Sequence, residues 1–279
     1  MILTGAARLA GVMGWPVAHS RSPRIHGYWL EEKGIDGAYL PLAVRPEALN
    51  AALAALPALG FRGCNLTAPH KEAALARMDS LSESARRIGA VNTVTVADDG
   101  ALHGDNTDGF GFISHLRQEA PGWEPASPVT VLGAGGAARA VVDALTAAGV
   151  AEIRLLNRSG ERAAALAEEA GNTVRPLSWE QREAALDGCG LLVNTTTLGQ
   201  VGKPALDLAL DRLPAEAVVY DLVYAPLETD LLRSARARGH AAVDGLGMLI
   251  HQARPGFAAW FGGEAEVTAA LRTFAAEGL

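Results

Sequence analysis

Gly133-Ala134-Gly135-Gly136-Ala137-Ala138 follows the apolar run Val129-Thr130-Val131-Leu132 and opens an alanine-rich helical pattern that continues to Ala148. A strand, a glycine turn and a helix start, in that order, is the arrangement that receives a dinucleotide pyrophosphate. Gly133 lets the chain turn sharply after the strand. Gly135 leaves the backbone bare for the phosphates to approach, and Ala138 is small enough for the helix to lie close on the sheet. The free N–H groups and the positive end of the helix dipole then face the anion. The match is to the G-x-G-x-x-A variant, and its placement between strand and helix carries the reading.

The next apolar run indicates which dinucleotide. Ala151-Glu152-Ile153-Arg154-Leu155-Leu156 reads as a short buried strand, followed by Asn157-Arg158-Ser159. An NAD site carries an acidic residue about twenty positions beyond the glycines, where a carboxylate would repel a 2′-phosphate. This chain has Arg158 there, with Arg162 one helical turn on. Guanidinium groups are planar, permanently charged and fork-shaped, which suits phosphate. The expected cofactor is NADP(H). The plainer alternative is a pair of solvated arginines at a helix start.

The 279 residues suggest two domains, and a hydrophobic content of 49% supplies their cores. A net charge of −7 argues against nucleic acid or an anionic membrane as the main partner, while leaving room for an anionic small molecule at a local positive site. No apolar run is long enough to span a bilayer, and the N-terminus lacks the basic start and apolar core of a signal peptide. Cys64 and Cys189 make neither a disulfide framework nor a metal-ligand spacing, so no metal is expected. These features together predict a cytoplasmic protein. Of 24 basic residues only Lys33, Lys71 and Lys203 are lysines. Arginine cannot release its proton near neutral pH and lysine can, so a lysine in an arginine-biased chain marks a candidate for proton chemistry.

From Leu9 to about Asp108 strand and helix patterns alternate. Strands are expected at Leu9 to Met13, Ala38 to Val44 and Arg62 to Leu66, and helices at Pro23 to Lys33, Pro46 to Leu56 and Pro69 to Met78. Val91 to Val96 and Ala101 to Gly104 flank Asp98-Asp99-Gly100, a hairpin signal that implies a mixed sheet. Phe110 to Glu119 reads as a connecting helix. The proline-rich segment Pro121 to Pro128 reads as a linker into the dinucleotide unit. Further strands are expected at Gly190 to Asn194 and Ala217 to Leu222. Gly245 to about Glu277 is helical in pattern, with a break near Pro255-Gly256 or Gly262-Gly263. It is expected to bury its apolar face on the first domain.

Four polar clusters are candidates for a substrate wall. In His19-Ser20-Arg21-Ser22-Pro23, Ser20 and Ser22 can donate to a carboxylate, although Ser22 equally suits a cap for the helix at Pro23. In Gly63 to Lys71, a strand end meets an expected helix start. A lysine in a first helical turn faces an unfavourable dipole, which would lower its pKa toward acid–base use; an exposed surface lysine reads equally well. In Gly89-Ala90-Val91-Asn92-Thr93, Asn92 suits a substrate hydroxyl or simply a strand end. In Gly104 to Gly109, Asp108 can orient Lys71 or exchange a proton with it, or cap the helix that follows.

Taken together these segments resemble the shikimate dehydrogenase family. The resemblance is carried by Gly14-Trp15-Pro16-Val17-Ala18-His19-Ser20-Arg21-Ser22-Pro23, Asn65-Leu66-Thr67-Ala68-Pro69-His70-Lys71, Gly89 to Thr93 and Asn106-Thr107-Asp108-Gly109. It continues through Gly133 to Ala137, Asn157-Arg158-Ser159, Asn194-Thr195-Thr196, Asp221-Leu222-Val223-Tyr224 and Asp244 to Gln252. It spans Gly14 to about Gln252, and the nine segments in order are far more specific than any one alone.

The resemblance implies an α/β protein of two α/β domains. Residues 1–108 would form a mixed-sheet substrate-binding and catalytic domain, with 245–279 returning to it. Residues 109–244 would form a Rossmann-type NADP-binding domain. It implies reversible NADPH-dependent reduction of 3-dehydroshikimate to shikimate, on the route to chorismate and the aromatic amino acids, in a monomer or homodimer. Lys71 and Asp108 would be the catalytic pair. Ser20, Ser22 and Tyr224 would hold the substrate carboxylate, and Thr67, Asn92, Asp108 and Gln252 the ring hydroxyls. Gly133, Ala134, Gly135, Gly136 and Ala137 would take the pyrophosphate, Asn157, Arg158, Ser159 and Arg162 the ribose phosphate, and Leu222 and Gly245 the nicotinamide side. Ala68 and Gln200 depart from the residues usual at those places. Both serines of the S-x-S favour shikimate over quinate. A broad-specificity quinate/shikimate dehydrogenase and a non-enzymatic NADPH sensor are the competing readings.

Overall fold

A computed structural model describes residues 2–279, and the chain divides into two compact units. The first comprises the described residues up to Asp108 together with Leu249–Ala275. The second comprises Gly109–Met248 and Ala276–Leu279. Among the described residues no helix is long and apolar enough to cross a membrane.

The first unit is built from β1 (Arg8–Gly14), α1 (Ser22–Glu32), β2 (Gly37–Ala43), α2 (Leu49–Ala55), β3 (Phe61–Leu66), β4 (Ser80–Leu81), α3 (Glu83–Ile88), β5 (Thr93–Val96) and β6 (Leu102–Asp105). Its sheet has the order β2-β1-β3-β5-β6-β4. β1 runs parallel to β2 and β3, whereas β5 is antiparallel to both β3 and β6. The mixed sheet expected from the Asp98-Asp99-Gly100 turn is therefore present. In α1 the buried side chains Ile25, Trp29 and Leu30 fall on one face, the spacing that an amphipathic helix requires.

The segment from Pro69 to Met78 departs from expectation. It is a series of turns ending in a short 3-10 helix, Leu75–Arg77, and contains no α-helix. The carbonyl of Lys71 accepts from Val91 N–H at 2.8 Å instead of from the residue four positions on. The buried ring of His70 is bonded through Nε2 to the Val44 carbonyl at 2.8 Å. The first tie diverts a carbonyl from a helical ladder, and the second anchors the segment beside the end of β2. The helix-dipole argument for Lys71 accordingly has no helix to rest on.

The second unit contains α4 (Asp108–Glu119), β7 (Val129–Leu132), α5 (Gly136–Ala147), β8 (Ile153–Leu156), α6 (Gly160–Ala170), β9 (Val174–Leu177), β10 (Leu191–Asn194), β11 (Val218–Asp221), α7 (Asp230–Ala237) and β12 (Ala241–Val243). Its strands form one parallel sheet of order β12-β11-β10-β7-β8-β9. This is the doubly wound order in which the connection reverses direction between β7 and β10, and ligands bind outside the carboxyl ends of the strands at that point. The central strands β7, β10 and β11 are buried along their whole length and mostly apolar because both faces are covered. Val129, Val131, Leu155, Val193 and Tyr220 pack on one face, and Leu132, Leu156, Leu192 and Val219 on the other.

The chain closes with α8 (Gly245–Phe261) and α9 (Ala269–Ala276). α8 continues through Pro255 and stops where Gly262 and Gly263 take positive φ of 77° and 81°, so the break lies at the second of the two expected places. Trp260 of α8 donates its indole N–H to the Val94 carbonyl at 3.0 Å. It lies across Gly63, where an added Cβ would stand 2.3 Å from Trp260 Nε1. A bare backbone at Gly63 thus lets the returning helix dock on the first sheet.

Candidate active site

In the first unit, Lys71 sits on the turn after β3 and Asp108 follows β6. The Lys71 Nζ donates to Asp108 Oδ2 at 2.6 Å. The other carboxylate oxygen of Asp108 accepts from Asn92 Nδ2 at 2.7 Å. The Asp108 side chain is therefore spent on Lys71 and Asn92 although α4 begins at that residue, which answers the helix-cap alternative.

Asn92 organises the surroundings. Its Oδ1 accepts from the Thr107 N–H at 2.9 Å and from Thr93 Oγ1 at 2.8 Å. A backbone N–H can only donate, so the oxygen must face Thr107 and the amide nitrogen must face Asp108. Thr107 Oγ1 in turn donates to the Gln252 carbonyl of α8 at 2.9 Å. Asn106 bridges the Ala90 carbonyl at 2.9 Å and the Asp108 N–H at 3.1 Å. Asn92, Thr93, Asn106, Thr107, Asp108 and Gln252 are all buried, so each unmade bond would carry the full cost of desolvation. Lys71 alone keeps a partly exposed side chain, 28% accessible, at the edge of this polar bed.

The same network extends to residues that no sequence reading had assigned. Asn65 Nδ2 donates to the Asn92 carbonyl at 3.0 Å and to Thr93 Oγ1 at 3.1 Å. Its Oδ1 accepts from the Tyr39 hydroxyl at 2.6 Å. Burial raises the pKa of Tyr39, which keeps the phenol a donor. Asn65 and Asn106 stood inside quoted motifs without a role. Tyr39 stood in none, and its alternating strand pattern gives no sign of a polar task.

Ser22 is the first residue of α1 and makes no cap; Arg21 occupies that position. Its N–H donates to Ser20 Oγ at 3.3 Å, and its side chain hydrogen-bonds with Tyr39. Ser22 is buried and Ser20 partly so. Thr67 ends the β3 edge, its N–H bonded to the Met13 carbonyl at 2.9 Å. Gln252 Oε1 lies 3.5 Å from Asn92 Nδ2, at the outer limit of a hydrogen bond. Ser20, Ser22, Thr67, Lys71, Asn92, Asp108 and Gln252 all belong to the first unit.

In the second unit the glycine turn has the conformation its sequence implies. Gly133 has φ +110°, and an added Cβ would lie 2.4 Å from Thr195 Oγ1. Thr195 Oγ1 donates to the Leu132 carbonyl at 2.7 Å, which ties the end of β7 to the loop after β10. At Gly135 and Gly136 an added Cβ would meet nothing within 4 Å. The bare backbone there is not required by the chain's own packing and leaves a cradle of the kind a pyrophosphate needs. Ala138 is fully buried against the sheet. Ala134 and Ala137 flank the turn, partly exposed.

Arg158 follows β8, and Arg162 lies in the first turn of α6. Both are exposed, and neither has a hydrogen bond or ion pair with another described residue. By contrast Arg139, Arg154 and Arg236 are paired with Glu169, Glu152 and Glu228. Exposure fits solvation and phosphate binding alike; Arg158 stands two residues past the end of β8, the strand that pairs with β7. Asn157 Nδ2 donates to the Ser159 carbonyl at 2.9 Å and shapes that corner. Leu222 and Tyr224 follow β11 and are partly buried. Gly245 has a packing reason of its own, since a Cβ would fall 2.0 Å from the Leu222 carbonyl oxygen. Among the described residues no group of His, Cys, Asp and Glu is arranged to hold a metal ion, and both cysteines are free and buried.

Comparison with known proteins agrees with this geometry. Residues 12–94 match the profile described as shikimate dehydrogenase substrate binding domain, and residues 119–200 match shikimate / quinate 5-dehydrogenase. The shikimate dehydrogenase (NADP(+)) of Paramagnetospirillum magneticum is 61% identical over 273 residues, 98% of this chain and 99% of that protein. The chain belongs to the shikimate dehydrogenase family.

Among solved structures of shikimate dehydrogenase relatives, the enzyme of Thermus thermophilus in complex with NADP(H) and shikimate is 42% identical. It covers 98% of this chain and 100% of its own, with a TM-score of 0.86. A quinate dehydrogenase of Corynebacterium glutamicum in complex with NAD is 33% identical, with a TM-score of 0.89, 96% of this chain and 98% of that one covered. The resemblance drawn from the nine motifs is thus borne out at the level of the shikimate dehydrogenase family.

Proposed function

We propose that this protein reduces 3-dehydroshikimate reversibly to shikimate with NADPH, in the biosynthesis of chorismate and the aromatic amino acids. The observation that carries the reading is the half-buried Lys71, bonded to Asp108 at 2.6 Å over a polar bed whose other members are already satisfied. The name carried by relatives as close as 61% supports the substrate and the cofactor.

The cofactor fits the residues present. Gly133, Ala134, Gly135, Gly136 and Ala137 would hold its pyrophosphate on the bare backbone at the start of α5. Asn157, Arg158, Ser159 and Arg162 would hold the 2′-phosphate, and Leu222 and Gly245 would border the nicotinamide. When bound, the nicotinamide supplies or accepts the hydride. As the ring ketone is reduced, negative charge grows on its oxygen, and the Lys71 ammonium stabilises that charge and donates the proton. Asp108 holds the Lys71 Nζ in place, and Asn92 holds Asp108. In the oxidative direction Lys71 receives the proton of the substrate hydroxyl. Ser20, Ser22 and Tyr224 are assigned to the substrate carboxylate. Thr67, Asn92, Asp108 and Gln252 are assigned to the ring hydroxyls. The ligands are small molecules; the chain acts as a monomer or homodimer in the cytoplasm.

The likeness to a quinate dehydrogenase with NAD at 33% identity keeps a second reading open, in which quinate is also a substrate. Initial rates of cofactor reduction with shikimate and quinate, each with NADP and NAD, test both. Fast turnover with shikimate and NADP alone is the expected result. Equal rates with quinate favour the second reading, and absence of hydride transfer with any pair overturns both.

A further inference from the structure

Asn194 and Asp221 end the adjacent parallel strands β10 and β11 and stand opposite one another in register. Both are fully buried. Asn194 Nδ2 donates to Asp221 Oδ1 at 2.9 Å, and the same oxygen accepts from the Val223 N–H at 3.1 Å. The second oxygen accepts from Thr229 Oγ1 at 2.6 Å. Thr229 is the N-cap of α7, its oxygen accepting from the Leu232 N–H at 3.3 Å. On the other side, Asn194 Oδ1 accepts from the Thr196 N–H at 3.0 Å and from Thr196 Oγ1 at 2.7 Å. Its amide also reaches the Leu198 carbonyl at 3.3 Å.

Every group bonded to Asp221 is a neutral donor, and every bond runs toward the carboxylate. Burial raises the pKa of Asp221, and the three donated bonds oppose that rise. Two donors converge on Oδ1 and one on Oδ2, an arrangement that suits the anion. Through this one carboxylate the loop after β10, which carries Thr195 against Gly133, is tied to the loop after β11, which carries Leu222 and Tyr224. Both loops leave the carboxyl edge of the sheet, where a dinucleotide lies in this fold.

We propose that Asp221 and Asn194 are positioning residues for the cofactor. Their buried carboxylate–carboxamide pair holds the 195–198 and 222–229 loops in the arrangement that binds NADP(H). The inference rests on the cofactor assignment made above.

Asn194→Asp tests it. In this variant a second carboxylate faces Asp221, and the pair has an acceptor on each side. One proton shared between them restores the missing bond, so the pair's upper pKa rises above the ordinary carboxylate range. The bond is present below that pKa and lost above it. The dissociation constant for NADPH is measured by fluorescence titration across pH, each value divided by that of the wild type at the same pH. The expected ratio is within about threefold near pH 5.5 and at least about tenfold near pH 8.5. A ratio that stays flat with pH, at any level, overturns the proposal, because simple structural damage would not titrate.

If Asn194→Asp fails to fold at the lower pH, Thr229 decides the matter. Thr229→Val should weaken NADPH binding and Thr229→Ser should retain it; equal binding by the two overturns the proposal. A wild-type protein that binds no NADP(H) would instead overturn the cofactor assignment.

Discussion

Lys71 and Asp108 are 37 positions apart in the chain, yet the lysine nitrogen donates to the aspartate at 2.6 Å. The remaining oxygen of Asp108 is occupied by Asn92, so the carboxylate has little freedom to turn away. Removing the ammonium leaves the Asn92 bond to Asp108 in place and takes the cation from Oδ2. Lys71→Ala should lower kcat by about 10²–10⁴-fold, the range for a lost acid–base group, while NADPH affinity stays near the wild-type value. Steady-state rates with shikimate and NADP check this; near-normal turnover would exclude Lys71 as the proton donor.

Asn92→Ala acts differently. It strands the buried Thr107 N–H, takes one acceptor from the Thr93 hydroxyl and frees one oxygen of Asp108. Each stranded buried group costs about 1–3 kcal/mol, so urea unfolding should show a loss of at least that size together with a fall in kcat. A variant with unchanged unfolding midpoint would show that the network is dispensable.

Two glycines of the same turn should separate stability from binding. Gly133→Ala places a methyl group 2.4 Å from Thr195 Oγ1 at a φ of +110°, so both the melting temperature and NADPH affinity should fall. Gly135→Ala meets open space and should melt within a few degrees of the wild type, yet lose NADPH affinity by tenfold or more (about 1.4 kcal/mol) as the methyl fills the phosphate cradle. Full affinity in Gly135→Ala would place the pyrophosphate elsewhere.

Arg158→Ala removes a guanidinium with no partner within the described chain. Its stability should be unchanged. The dissociation constant for NADPH should rise by about 10- to 100-fold, the worth of one or two charge-assisted hydrogen bonds, with NADH binding unaffected. Equal losses for the two cofactors would remove Arg158 from 2′-phosphate recognition.

Acid should destabilise the first unit through His26. Its ring is fully buried, stacked on Tyr39 at 3.9 Å and beside Trp29, and burial lowers its pKa from 6.5 to about 3. Above pH 6.5 the ring is neutral in both folded and unfolded chains and its stabilising contribution is complete. Between 6.5 and about 3 only the unfolded chain takes up the proton, so stability falls as pH falls, by up to about 1.4 kcal/mol per pH unit. His251, lowered to about 4, acts in the same direction. His26→Leu should flatten the slope of unfolding free energy against pH between 6 and 4 by about one proton's worth; an unchanged slope would exclude His26 as a source.

Much of the architecture was legible because it is local. The apolar run before Gly133, the turn itself and the small Ala138 specify a strand, a positive φ and a close helix within ten positions. Asp98-Asp99-Gly100 likewise announced its hairpin. The extent of α8 was less legible, since Pro255 and Gly262-Gly263 both offered a stop and only the glycines supplied the φ that ends it.

The sequence by itself determined most of the strands, though not β4, β9 or β12, together with the glycine turn, the arginine in place of an acidic residue and the family to which these motifs belong. Each of these is settled by neighbours along the chain. The tertiary structure decided that 69–78 is not helical: Val91, just before β5, takes the Lys71 carbonyl, and Val44, just after β2, anchors the His70 ring. It decided that Asp108 meets Lys71 instead of capping a helix, and that Tyr39 and Asn65 join the hydrogen-bonded network around Asn92. Those outcomes depend on sheet order and register, which bring together buried polar groups far apart in sequence and leave each with one geometry that satisfies it.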